Sequence, residues 1–157
     1  MGAGMNGDRR FSPVTAILLS GFIAGTIDIG AACLINGFGP VVILHAIASG
    51  VLGKASFAGG MNTAGLGLLL QWGMSIIIAA IFVVASQMMP LLARRWLAAG
   101  LGYGAGIFIV MSFVVVPLSN AYPRPHIPAP DKIVESLVAM LLFGVIIAWF
   151  ARETRSD

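Results

Sequence analysis

A carboxylate at position 28 stands inside AGTIDIGAACL, residues 24–34, where every neighbour is apolar, small or a lone hydroxyl. An acid in such company can exchange a proton, hold a cation, or accept a hydrogen bond from another helix. Gln71 is the natural partner. It sits nine residues in from one end of an apolar run, and Asp28 sits eight residues before the corresponding end of another. At a rise of about 1.5 Å per residue their depths agree within about 2 Å. A Gln amide donates to a carboxylate or accepts from a carboxylic acid, so the pair works in either protonation state. Ser112 lies at a similar depth in a third run. His45 and Ser49, spaced i, i+4, form the one polar edge of a shorter apolar stretch, and Lys54 follows them. That edge is expected to face Asp28, with Lys54 either pairing with the acid or snorkelling outward.

Other chemistry is poorly represented. His45 and His126 have no acidic residue three or four places away, so no metal-ligand spacing exists, and Cys33 is the single cysteine. Ser49 or Ser56 beside His45 could be imagined as a hydrolase pair, but no nucleophile motif accompanies them. AAGLGYGAG, residues 98–106, looks superficially like a phosphate loop. No strand precedes it and no Lys-Ser/Thr follows, so Gly100/Gly104 and Gly102/Gly106 read as two close-packing pairs on a helix. IGAAC, residues 29–33, resembles a lipoprotein cleavage site, yet Asp28 interrupts the apolar run and Gly30 replaces the expected aliphatic residue. Cys33 therefore reads as a small apolar helix residue. No cofactor is expected.

The elements that must position these side chains are membrane helices. Of 157 residues, 59% are hydrophobic and 10% charged, and mean hydropathy is +0.98, far from the composition of a water-soluble domain. A span needs about 20 apolar residues, so the chain is expected to be one all-α membrane domain over 1–157 with four spans, about 14–36, 62–89, 97–118 and 133–151. The helical part of residues 39–60, about 40–52, would be roughly 20 Å long, too short to cross, and is expected to be interfacial or re-entrant. The net charge of +3 forms no basic stripe, which excludes a nucleic-acid partner.

Charge sets the orientation. With four spans and both termini cytoplasmic, Arg9, Arg10, Arg94, Arg95, Arg152 and Arg155 lie inside and Lys54, Arg124 and Lys132 outside, as the positive-inside bias expects. Trp96 and Trp149 then mark the inner interface. NAYPRPHIPAP, residues 120–130, reads as a stiff outer connection carrying a solvated His126. Asp131 follows as the expected N-cap of the fourth span, with Glu135 in its first turn.

Gly21, Ala24, Gly25, Ala31 and Ala32 share the face of Asp28, and Ala64, Gly67 and Ser75 share that of Gln71. These small faces must pack on protein, and they are extensive enough to predict a homo-oligomer or a subunit of a larger membrane complex. LHAIASGVLGKASFAGG, residues 44–60, together with FVVVPLS, residues 113–119, resembles a family of small, uncharacterised four-helix proteins of bacterial inner membranes. The resemblance covers most of residues 14–119 and implies fold and location, without an activity.

Two functions are then in view. A non-enzymatic inner-membrane protein could handle a small solute or a proton through a polar outer-half cavity lined by Asp28, His45, Ser49, Lys54, Gln71 and Ser112. Alternatively, a structural or assembly subunit would use Asp28 and Gln71 only to specify helix pairing. An intramembrane enzyme is the third and weakest reading.

Overall fold

The computed structural model describes residues 11–121 and 129–154, and all regular structure among them is helical. Helix α1 spans Pro13–Asn36, opened by Ser12, whose side chain accepts from the Thr15 amide at 3.1 Å, and by Pro13, whose missing N–H is no loss in the first turn. Gly37 closes it at φ +70°, the left-handed region that a Cβ disfavours. Helix α2 runs Pro40–Leu52 and passes at Gly53, φ +61°, into a 3₁₀ turn over Gly53–Ala58. Helix α3 is Gly60–Met88, the short α4 is Pro90–Arg94, and α5 is Trp96–Val110. The last continues through a π turn, Met111–Val115, into α6, Val116–Leu118, and α7 covers Pro130–Arg152.

Among the described residues five helical stretches are long and apolar enough to cross a membrane: Pro13–Asn36, Pro40–Ala58, Gly60–Met88, Trp96–Leu118 and Pro130–Arg152. The second differs from the sequence expectation because the 3₁₀ turn prolongs α2 to 19 residues, so length alone no longer excludes it. The π turn has a local cause. Pro117 offers no N–H and its ring would press on the carbonyl of Phe113, so the helix widens by one residue just before it. At the start of α7 the expected N-cap is displaced. Ala129 occupies the cap and Pro130 the first turn, since a proline's fixed φ suits the first helical position, leaving Asp131 inside that turn.

Helix α1 packs on α3 and α7, α2 on α3, and α5 on α7. The core joins them around Ala24, Ala79, Phe82, Val83, Ile107, Phe143 and Ile147. The α5–α7 contact is made by glycine: a Cβ at Gly144 would come within 2.8 Å of Gly104 Cα, and one at Gly100 within 2.9 Å of Val145 Cα. Only residues without side chains allow backbones this close.

Contacts at the helix ends show which termini lie together. Lys132 Nζ donates to Ile35 O, tying the start of α7 to the end of α1. The Asn120 amide donates to Gly50 O at 2.9 Å, and its side-chain amide to Val51 O at 3.3 Å. The end of α2 thus meets the end of α6. At the opposite end Phe11 lies 5.7 Å from Phe150, Gln87 donates to Thr154 at 2.7 Å, and the Arg152 guanidinium lies 5.7 Å from the Trp96 ring centre.

Candidate functional site

The acid and the amide singled out by depth meet. Gln71 Nε2 donates to Asp28 Oδ2 at 2.8 Å and reaches Gly25 O at 3.5 Å, so one amide group holds both the side chain and the backbone of α1. Asp28 is half-buried. Two features let the helices approach here. Gly25 has no side chain, and a Cβ there would stand 2.6 Å from Ser75 Oγ and 3.0 Å from Ser75 Cβ. Ser75, fully buried, turns its hydroxyl back to Gln71 O at 2.8 Å, so no polar atom is stranded in the contact. Gly21 packs on Ile76 one turn further along, while Ala31 and Ala32 remain half-buried.

On the outer side of the same contact, Trp72 Nε1 donates to Thr26 Oγ1 at 3.2 Å, Thr26 donates to Phe22 O at 2.7 Å, and the Phe22 and Trp72 rings meet edge-on at 5.2 Å. This second bond between α1 and α3 was not foreseen from the sequence. Thr26 is two residues from Asp28 and Trp72 follows Gln71, so the repeated polar pairing was a signal that could have been read.

His45 and Ser49 do not converge on the acid. His45 Nε2 is 2.8 Å from Gly60 O, and the ring lies edge-on to Phe57 at 5.9 Å. The Ser49 hydroxyl donates to Ala46 O at 2.6 Å. Ser56 donates to His45 O at 2.9 Å, and Thr63 donates to Ser56 O at 2.7 Å. Ser49 is satisfied one turn back within its own helix, and the 3₁₀ turn returns the chain to α2, so that Ser56 meets His45 O and the start of α3 brings Gly60 O to the His45 ring. Both serines proposed as nucleophiles therefore donate to backbone carbonyls. Lys54 lies within the same turn, and Asp28 takes Gln71 rather than this lysine as its hydrogen-bond partner.

Ser112 corrects a further expectation. It is exposed within the π turn, on a helix that packs chiefly on α7 rather than on α1. Matching depth could not say towards which neighbour the side chain turns. The polar bond that α5 does make to α3 is elsewhere, from the Tyr103 hydroxyl to Ile78 O at 2.7 Å.

Gly100 and Gly104 close on α7 as expected, and their counterpart Gly144 is a residue the sequence reading did not single out, although it is the one small residue in LLFGVII. Gly102 and Gly106 face outward, where an added Cβ would meet nothing within 4 Å. Among the described residues no group of three His, Cys, Asp or Glu side chains could hold a metal ion. Arg9, Arg10, Arg124, His126 and Arg155 lie outside the described residues. No family model, curated protein or solved structure matches the chain.

Proposed function

We propose that the chain is a non-catalytic, four-span protein of a bacterial inner membrane that serves as a structural or assembly subunit, in which Asp28 and Gln71 fix how α1 and α3 pair. The observation that carries this reading is that Asp28 and Gln71 bond to each other while the candidate polar side chains around them are engaged with backbone or face outward. The carboxylate is held by Gln71, while His45, Ser49 and Ser56 bond to backbone carbonyls and Ser112 faces outward. A polar pair of this kind contributes about 0.6 kcal/mol between membrane helices, and up to about 1.7. One observation favours the second reading, a proton or small-solute path: Asp28 is half-buried rather than enclosed.

In this proposal α2 dips into the outer face and returns. Its start follows the end of α1, which Lys132 ties to the start of α7, and its last turn bonds to Asn120, just past the end of α6. Between those points Leu44 packs on Gly67, seven residues into α3 and therefore about 10 Å deep. Two ends on one side support a re-entrant helix over a fifth span. The arginine distribution then puts Arg94, Arg95 and Arg152 in the cytoplasm with both termini.

Single-cysteine labelling in a Cys33→Ser background tests this topology. A membrane-impermeant maleimide is expected to label Arg124→Cys in intact cells and Arg94→Cys only after lysis. The reverse pattern would overturn the four-span arrangement. Co-purification with native neighbours in lipid nanodiscs tests the subunit role, and a single unaccompanied chain at all protein concentrations would contradict it.

A further inference from the structure

We propose that the crevice between α3, α4 and α5 is a seat for one acyl chain of an anionic phospholipid, whose phosphate is held by Arg94 and Arg95. This rests on the membrane-spanning reading above. The crevice is about 280 Å³ and is lined by Ile81, Phe82, Ala85, Leu92, Ala99 and Tyr103. It could contain on the order of nine water molecules at about 30 Å³ each. Water would find no partners there. Five of the lining side chains are hydrocarbon, and the sixth, Tyr103, has its hydroxyl engaged by Ile78 O at 2.7 Å. A hydrocarbon chain fills such a space without loss of hydrogen bonds.

The crevice also has a direction. Phe82 lies six residues before the end of α3, and Tyr103 seven residues after the start of α5, so its deep end is about 10 Å from the helix termini. At those termini the chain linking Leu92 to Ala99, two of the lining residues, carries Arg94 and Arg95. Both are exposed, and neither guanidinium has an ion-pair partner among the described residues. Arg152 is differently placed, over the Trp96 ring. An apolar slot leading to two exposed cations is complementary to a molecule with a hydrocarbon chain and a phosphate at one end. A zwitterionic lipid would fill the slot with weaker attraction to the arginines, and a free phosphate would leave the slot unused.

The test is lipid binding to the full chain in detergent, read by native mass spectrometry, with dioleoyl phosphatidylglycerol, dioleoyl phosphatidylcholine and glycerophosphoglycerol as probes. Each cation near a lipid surface contributes about 1 kcal/mol, so the wild type is expected to prefer phosphatidylglycerol over phosphatidylcholine on the order of thirtyfold. Arg94→Gln/Arg95→Gln is expected to abolish the preference, weakening phosphatidylglycerol far more than phosphatidylcholine. Ala85→Leu, which fills the crevice, is expected to weaken both lipids at least fivefold and preserve their ratio. Equal binding of the two lipids, a preference that survives loss of both arginines, or competition by glycerophosphoglycerol as effective as that of the whole lipid would each overturn the proposal. Ala99→Leu fills the same crevice from the α5 side. If Ala85→Leu does not fold, retention of wild-type lipid binding by Ala99→Leu would likewise overturn it. A reversed topology in the cysteine labelling would leave these outcomes intact, because the seat would then face lipid in the other leaflet.

Discussion

Two helix contacts in this molecule solve the same problem by different means. Where α5 meets α7, Gly100, Gly104 and Gly144 bring the backbones together, and no side-chain hydrogen bond is needed. Where α1 meets α3, Gly21 and Gly25 allow approach, but Gln71 to Asp28 and Trp72 to Thr26 add directed bonds. Lipid tails are as apolar as leucine, so helices in a bilayer associate through close packing and hydrogen bonds rather than by escape from water. A glycine contact sets the register by where side chains are absent. A polar pair is worth less and sets it by a directed bond.

This contrast can be broken by substitution, and the effects should fall in order. Gly144→Ala is expected to be the most damaging, because its Cβ would meet Gly104 backbone that cannot move aside. A loss of about 3 kcal/mol, at the upper end for overpacking, is expected in reversible unfolding from lipid or mixed micelles. Gly25→Ala meets the Ser75 side chain instead, which can rotate, so about 1 kcal/mol is expected. Adding Ser75→Ala should recover most of it, whereas no second-site side-chain truncation should rescue Gly144→Ala.

The polar bond itself comes next. A double-mutant cycle between Asp28→Leu and Gln71→Leu should give a coupling of about 0.6 kcal/mol. A coupling near zero would mean that the 2.8 Å bond does nothing for pairing. The smallest effect is expected at Gly102→Ala, which opens onto free space and should change monomer stability by less than about 0.5 kcal/mol. Should it instead alter the native mass in lipid, the outward Gly102/Gly106 face carries the contact between copies.

Much of this was legible from periodicity and depth. Small residues at helical spacing placed Gly21, Gly25 and Asp28 on one face, and equal distance from the helix ends placed Gln71 opposite the acid. Depth, however, has no azimuth. Ser112 was expected beside the acid from depth alone but is exposed, because nothing in the sequence around it says which neighbour α5 packs on. His45 and Ser49 were read as an edge facing the acid, but Ser49 bonds within its own helix and His45 to Gly60 O, and the latter depends on glycine conformations at Gly53 and Gly60 that residue type permits without dictating. Pro117 did announce the π turn in principle, because a proline inside a span must disturb the turn before it. Gly144 was overlooked for a simple reason: a single glycine forms no motif until its partner helix is known.

The central claim, that Asp28 joins helices rather than carrying a proton or a solute, is tested most directly by Asp28→Asn. The amide keeps the size of the acid and can still accept from Gln71, but it cannot take up and release a proton near neutral pH. The measurement is growth of cells whose only copy carries the substitution, with folding and native mass of the same protein checked in lipid. Unchanged mass and wild-type growth are the result predicted. A folded, normally assembled Asp28→Asn protein that fails to support the wild-type phenotype would contradict the claim and make the carboxyl group the working part.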